Sequence, residues 1–250
     1  MKTKNSADIV FVIDASDSMQ PCIDGLKRHI SQFVDVFKND ANSAWDIRLE
    51  FITYWVSTSD SGGDAFGFSS INENSARKFI YQSSSHGGFF TTNVGDFQTS
   101  LASISVTGDE ASFLALDCAL DLPWRTQSGC RKIVLLFTDE PMETGCMVTE
   151  SNKLTNALID KIHALKAYLY LITPDSPGFE KLASADKAEW CLIDEGDGML
   201  KVDFNKILAM LAKSITASQA PLGSTPSVQR ALFGQDKWVA TKSTVRHDGV

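Results

Sequence analysis

The sequence has no long hydrophobic run, no paired-cysteine pattern and no excess of positive charge. Its apolar runs, such as residues 133–137, are only a few residues long, whereas a membrane-spanning helix needs about 20 apolar residues. The five cysteines never form a C-x-x-C pair, so we expect reduced thiols rather than a disulfide framework or a zinc site. The formal net charge of −8 argues against a surface that coats nucleic acid. We therefore expect a cytoplasmic protein that engages neither membranes nor nucleic acid.

The rest of the composition is that of an ordinary globular protein. Hydrophobic residues make up 43% of the 250 residues and charged residues 22%, which excludes a disordered chain and permits a sizeable core. Up to about residue 216, short apolar runs alternate with segments whose apolar residues recur at helical spacing. This alternation predicts a Rossmann-like, doubly wound α/β fold, in which a mainly parallel sheet of about six strands carries helices on both faces.

The individual elements are predicted from the same patterns. The apolar run between Asp8 and Asp14 is typical of a central strand buried on both faces. Residues 57–75 are rich in Ser, Gly, Asp and Asn, and we expect them to form a long exposed excursion. The other predicted strands are 46–54, 132–138, 167–172 and 189–193. The predicted helices are 23–37, 94–104, 110–122, 154–165, 179–185 and 204–215, and a short amphipathic element is predicted at 76–81.

The last segment of the chain has a different composition. Pro, Gly, Ser and Thr are concentrated at 221–227, as in linkers, and residues 217–250 carry a net charge of +2 against −10 for the rest. We therefore divide the chain into one domain at 1–216 and a linker and tail at 217–250. The tail either docks on its own domain or serves another purpose.

Side chains with oxygen ligands cluster at three predicted loops. They follow the first strand, follow the strand at 132–138, and precede the helix at 110–122. In an open α/β sheet, function resides at the edge where the parallel strands end. Carboxylates and hydroxyls without nitrogen or sulfur ligands suit a hard cation, Mg²⁺ or Mn²⁺. The candidate metal ligands are Asp14, Ser16, Ser18, Asp109, Glu110 and Asp139.

The sequence resembles the von Willebrand factor A domain. The likeness is carried by the D-x-S-x-S motif that starts at Asp14, by the amphipathic helix after it, by a glycine-acidic loop before Ala115-Leu116, and by Thr138-Asp139 at a strand end. It covers roughly residues 7–216. The resemblance implies one short antiparallel strand at the edge of the sheet and a metal-ion-dependent adhesion site (MIDAS). Residues 108–125 and 132–141 are also similar to bacterial proteins that couple such domains to kinases or ATPases.

The resemblance assigns roles in the first and third loops of this site. It implies that Ser16 and Ser18 coordinate the ion directly, and that Asp14 and Asp139 act through water.

The second loop departs from the family pattern. The family uses a threonine there, but its spacing puts Glu110 at that position, with Asp109 beside it and Thr107 as a substitute. A carboxylate at this position would strengthen cation binding through its charge. It would also occupy the coordination position that a partner's acidic side chain takes in adhesive relatives.

Two other interpretations of these residues stay open: a metal-free structural module and a metal-dependent phosphoesterase. Asp14, Ser16 and Ser18 are also good helix-capping residues, and Asp109 and Glu110 would complement a helix dipole, which would leave a metal-free structural module. An acidic Mg²⁺ site can also hydrolyse phosphoesters. However, the sequence has no G-x-S-x-G or G-x-x-x-x-G-K-[ST] motif and identifies no base or cationic clamp.

We therefore expect a binding module rather than an enzyme. By analogy with the family, it would bind a protein partner, such as an ATPase or kinase of the same bacterial intracellular multi-protein system.

Overall fold

The fold is described from a computed structural model of the chain. The structure describes residues 3–41, 43–58, 64–70, 89–104, 106, 112–141, 146–217 and 238–240. The amphipathic element predicted at 76–81 lies outside these residues.

The described strands form one sheet, and the predicted mainly parallel α/β architecture is confirmed. The strands are β1 (Thr3–Asp14), β2 (Ser43–Thr58), β3 (Asp64–Ser70), β4 (Cys130–Phe137), β5 (Tyr168–Thr173), β6 (Ala188–Leu192) and β7 (Trp238–Ala240). Their order is β3-β2-β1-β4-β5-β6-β7. The five inner strands run parallel, while β3 and β7 are antiparallel strands at the two edges.

Helices cover both faces of this sheet. They are α1 (Gln20–Lys38), α2 (Val94–Leu101), α3 (Ser112–Leu120), α4 (Cys146–Leu165), α5 (Pro177–Ala183) and α6 (Phe204–Ala217), with 3₁₀ helices at Asp17–Met19 and Asp197–Lys201. Residues from α1, α2 and α6 form one hydrophobic core with Phe11 and Ile13 of β1, and residues from α3, α4 and α5 form the other with Val10 and Val12. Since both faces are covered, β1 is apolar at every one of these positions. None of the described helices is both long and apolar enough to cross a membrane.

A glycine lets two helices of the first core pack closely. A Cβ atom added to Gly25 of α1 would lie 2.5 Å from ring atoms of Phe204 in α6. This distance is shorter than any ordinary carbon–carbon contact, so the packing of α1 against α6 requires glycine at this position.

The edges of the sheet differ from the sequence prediction. Strand β3 lies within residues 57–75, so the expectation of an exposed excursion is wrong for Asp64–Ser70. It is an antiparallel edge strand of the kind the resemblance implies, and its pairing in the described sheet comes from β2 alone. The only strand pattern in its sequence is the short alternation of Phe66 and Phe68, in a stretch rich in Ser, Gly, Asp and Asn. At the opposite edge, Trp238–Ala240 of the predicted tail pairs with β6, which brings the sheet to seven described strands rather than about six.

A buried carboxylate joins three segments toward the amino-terminal part of β1. Asp8 is fully buried and accepts hydrogen bonds from Arg48 Nε and Nη2 at 2.8 and 2.6 Å. Arg125 adds its Nε at 2.7 Å and its backbone N–H at 2.8 Å. Arg125 also donates to Asp46 of β2 and to the carbonyl of Ala7. This network connects β1, β2 and the segment before β4. Removing one partner of such a buried pair leaves an uncompensated charge.

Candidate metal centre

The register of two central strands brings the first and third predicted loops together. Strands β1 and β4 are adjacent and parallel, and Ile13 pairs with Phe137 at their carboxyl ends. Asp14 ends β1, while Thr138 and Asp139 follow directly after β4. The two loops therefore leave the sheet side by side.

The first loop turns sharply over this edge. The backbone N–H of Ser16 donates to Asp14 Oδ1 at 2.7 Å, which holds the turn that leads into the 3₁₀ helix at Asp17–Met19. Ser18 then faces the third loop, where its hydroxyl donates to Asp139 Oδ1 at 2.9 Å. The hydroxyl oxygens of Ser16 and Ser18 are 3.2 Å apart. The structure thus brings together four of the six predicted ligands: Asp14, Ser16, Ser18 and Asp139.

Asp109 and Glu110, the predicted second-loop ligands, lie outside the described residues, as does Thr107.

The oxygen separations fit the coordination shell of a small hard cation. At a metal–oxygen distance of about 2.1 Å, adjacent ligands of an octahedral Mg²⁺ ion lie about 3.0 Å apart. The Ser16–Ser18 and Ser18–Asp139 oxygen separations of 3.2 and 2.9 Å are close to this value. Asp14 and Asp139 are fully buried and Ser16 nearly so, whereas Ser18 is exposed. The oxygen cluster therefore reaches solvent on the Ser18 side.

Asp14 is held at both carboxylate oxygens. In addition to the Ser16 N–H at Oδ1, the Thr138 hydroxyl donates to Oδ2 at 2.8 Å. The pKa of Asp14 is raised from 3.8 to about 6. Burial is the main cause, the hydrogen bonds from Ser16 and Thr138 oppose the rise, and the nearby Asp139 charge adds a smaller upward contribution. A cation beside these carboxylates would favour their ionised forms. The role of Thr138 was not predicted, although its position directly before Asp139 and beside β1 was a usable signal.

Helix capping explains only part of this arrangement. Ser16 occupies the N-cap position of the 3₁₀ helix, but its side chain makes no capping hydrogen bond. The N-cap of α1 is Met19, and it also lacks a side-chain cap. The capping interpretation thus accounts for the turn at Asp14 but not for the contacts of the serine hydroxyls with each other and with Asp139.

The surroundings of the cluster are electronegative. Cys22 of α1 is fully buried, and its pKa is raised well above the ordinary thiol value by burial and then by the Asp14 and Asp139 charges. The pKa of the half-buried Glu140 is raised by burial, Asp139 and Glu195. Negative potential at this edge would attract a cation.

The ligand set determines which metal the site suits. Within the described residues, no group of three or more His, Cys, Asp or Glu side chains could hold a metal. The candidate centre therefore depends on serine hydroxyls together with two carboxylates. This all-oxygen set suits Mg²⁺ or Mn²⁺. The described cysteines, Cys22, Cys118, Cys130 and Cys191, carry free thiols.

The chain has the fold of von Willebrand factor A domains. It resembles the structure of a von Willebrand factor type A protein from Catenulispora acidiphila, with a TM-score of 0.50 and 14% identity over 84% of this chain and 43% of that chain. It also resembles proximal thread matrix protein 1 from the mussel byssus, in a structure with a zinc-occupied MIDAS motif; the TM-score is 0.52 and the identity 14%, over 83% of this chain and 46% of that chain. This chain thus spans less than half the length of either protein. No protein-family model matches the sequence, and no curated protein matches it.

Proposed function

We propose that this chain binds Mg²⁺ or Mn²⁺ at the carboxyl edge of its sheet and uses the ion-bearing surface to bind a protein partner. The observation that carries the proposal is the convergence of Ser16, Ser18 and Asp139 oxygens at separations close to those of an octahedral shell. The zinc-occupied MIDAS motif in the mussel protein of the same fold supports a divalent ion.

In this proposal, each residue has a distinct role at the ion. Ser16 and Ser18 coordinate through their hydroxyls. The family resemblance implies that Asp139 acts through water, but here we propose it as a direct ligand, because its Oδ1 lies 2.9 Å from the Ser18 hydroxyl. Asp14 acts through water, since both of its carboxylate oxygens are already held by Ser16 and Thr138. The bound cation offsets the repulsion between Asp14 and Asp139 and offers a coordination position on the exposed Ser18 side. Glu110 decides whether that position stays open to a partner's carboxylate or is closed.

The partner is proposed to be a protein because von Willebrand A-type domains generally mediate protein–protein interactions. The finer assignment, an ATPase or kinase of the same bacterial cytoplasmic system, is supported by the sequence resemblance and by fold analogy. We propose binding rather than catalysis at this edge.

Thermal unfolding with and without the ion tests the metal site. A ligand of the native state at 100 times its Kd stabilises by about 2.7 kcal/mol, so saturating Mg²⁺ should raise Tm by roughly 5–10 °C relative to protein in chelator. Asp139→Asn and Ser16→Ala should abolish this rise. Asp35→Asn, which removes an exposed carboxylate on α1, should keep it. An unchanged Tm of the wild-type chain in millimolar Mg²⁺ and Mn²⁺ would refute the metal site.

Affinity capture tests the protein-binding part. The immobilised chain should retain its partner in Mg²⁺, release it in chelator, and fail to retain it when Asp139→Asn replaces the wild type. Hydrolysis of a generic phosphoester by the Mg²⁺-loaded chain, lost on Asp14→Ala substitution, would instead establish a phosphoesterase.

A further inference from the structure

The loop after β6, two strands along the sheet from β4, also contacts the candidate metal centre. The backbone N–H of Gly196, after β6, donates to the carbonyl oxygen of Asp139 at 2.7 Å. Since β5 lies between β4 and β6 in the sheet, the chain after β6 must turn back across the end of β5 to make this contact. Asp139 is therefore held on both sides, through its side chain by Ser18 and through its main chain by Gly196.

This return of the chain depends on an unusual backbone conformation. Gly196 has φ 70° and ψ −95°, a region that residues with a Cβ atom rarely adopt. Apart from the adjacent residues in the chain, no heavy atom of the described residues lies within 4 Å of the position that a Cβ would take there. Glycine is thus required by the backbone dihedral angles and not by lack of space.

We propose that Gly196 is a positioning residue of the metal site, because its N–H fixes the main chain of Asp139 and so sets the distance of the Asp139 carboxylate from Ser18. The inference rests on the proposed function. It adds a determinant from the β6 loop that makes no direct contact with the ion. Without the hydrogen bond from Gly196, the Asp139 carboxylate would rotate or shift away from the serine hydroxyls. The ligand oxygens would then have to be brought together again each time an ion binds.

Two glycine substitutions provide a matched comparison. Gly129, directly before β4, also has a positive φ, 84°, and open space at its Cβ position, but it lies at the amino-terminal end of that strand. Gly196→Ala and Gly129→Ala should lower the Tm of the metal-free chain by similar amounts. Gly196→Ala should weaken Mn²⁺ binding, measured by calorimetry, by about tenfold or more, as the loss of supporting contacts around metal ligands does. Gly129→Ala should leave Mn²⁺ affinity unchanged.

The handedness of the substituted residue gives a rescue test. Cys191, five residues upstream, is a ligation junction at which a synthetic carboxy-terminal segment with D-alanine at position 196 can be joined. D-alanine adopts positive φ without strain, so this protein should keep wild-type Mn²⁺ affinity while the L-alanine variant loses it. Equal loss in both, or equal affinity in Gly196→Ala and wild type, would overturn the proposal.

A measurement on the unmodified chain covers the case in which Gly196→Ala does not fold. The Gly196 amide should be protected from hydrogen exchange. Mg²⁺ should increase the protection of this amide by a factor at least ten times larger than the factor by which it increases the protection of amides in β1. An unprotected Gly196 amide in the Mg²⁺-loaded chain would overturn the inference. Failure of the wild-type chain to bind either ion would refute the proposed function itself, which is a separate result.

Discussion

The substitution Asp14→Asn should have opposite effects on the metal-free and the metal-bound protein. Asp14 is fully buried, and its pKa is raised from 3.8 to about 6, chiefly by burial. A shift of about 2 pKa units corresponds to a penalty of about 3 kcal/mol on the ionised form at neutral pH. Asparagine keeps the shape without the charge: its carbonyl can accept the Ser16 N–H, and its amide can donate to the Thr138 hydroxyl, which is both donor and acceptor. The metal-free variant should therefore unfold at higher urea concentration than wild type, with a gain of up to about 3 kcal/mol.

The same variant should gain no stability from Mg²⁺, because the charge that favours the ion is gone. Asp8→Asn is the matched control, since Asp8 lies on the same strand and is equally buried but is paired with Arg48 and Arg125. Removing its charge should destabilise the chain by about 3 kcal/mol or more. Urea unfolding at pH 7.5 in chelator measures the free energy of unfolding of both metal-free variants and of the wild type. If Asp14→Asn destabilises the metal-free chain as Asp8→Asn does, then the Asp14 carboxylate is not penalised and the electrostatic argument is wrong.

Three further predictions concern pH, a buried hydroxyl and helix packing. The folded-state pKa of Asp14, about 6, lies above its unfolded value of 3.8. The metal-free wild type should therefore be most stable below about pH 4, where Asp14 is protonated, and should lose this stability as the pH rises through about 6. Urea unfolding across this range should show the decline in wild type and not in Asp14→Asn. Thr138→Val removes the hydroxyl that donates to Asp14 Oδ2. It should weaken Mg²⁺ binding, measured by calorimetry, about tenfold, and an unchanged affinity would contradict the supporting role of this hydroxyl. Gly25→Ala should destabilise by about 1–3 kcal/mol, because its Cβ would overlap the Phe204 ring, with Mg²⁺ affinity unchanged; a stabilised variant would show that helix propensity outweighs this contact.

The central elements were predictable from sequence because burial on both faces leaves a strong pattern. The run between Asp8 and Asp14 and the run at 132–138 correspond to β1 and β4, and four of the candidate ligands follow from where these strands end. The family resemblance implied an antiparallel edge strand, and β3 is one, but the residue pattern did not locate it. Phe66 and Phe68 alternate in its sequence, but this pattern is short and lies in a stretch dominated by Ser, Gly, Asp and Asn.

The supporting contacts of the site were less accessible to sequence reasoning. Thr138 acts on Asp14, which is 124 residues away in the chain, and Gly196 reaches Asp139 across the end of β5. Both contacts depend on strand order and register, which are tertiary properties. A local motif such as D-x-S-x-S identifies the residues of one loop, but not the distant groups that hold the loops in position.

The ion pair around Asp8 constrains the order in which the chain can fold as it is synthesised. Asp8 and Arg48 leave the ribosome early, but Arg125 follows much later and supplies both a guanidinium and a backbone N–H to the same carboxylate. Until then the central strand would bury a carboxylate that lacks half of its donors, which is unfavourable. We therefore expect the amino-terminal half to be unstable as an isolated fragment and to gain stability only when Arg125 and β4 are present.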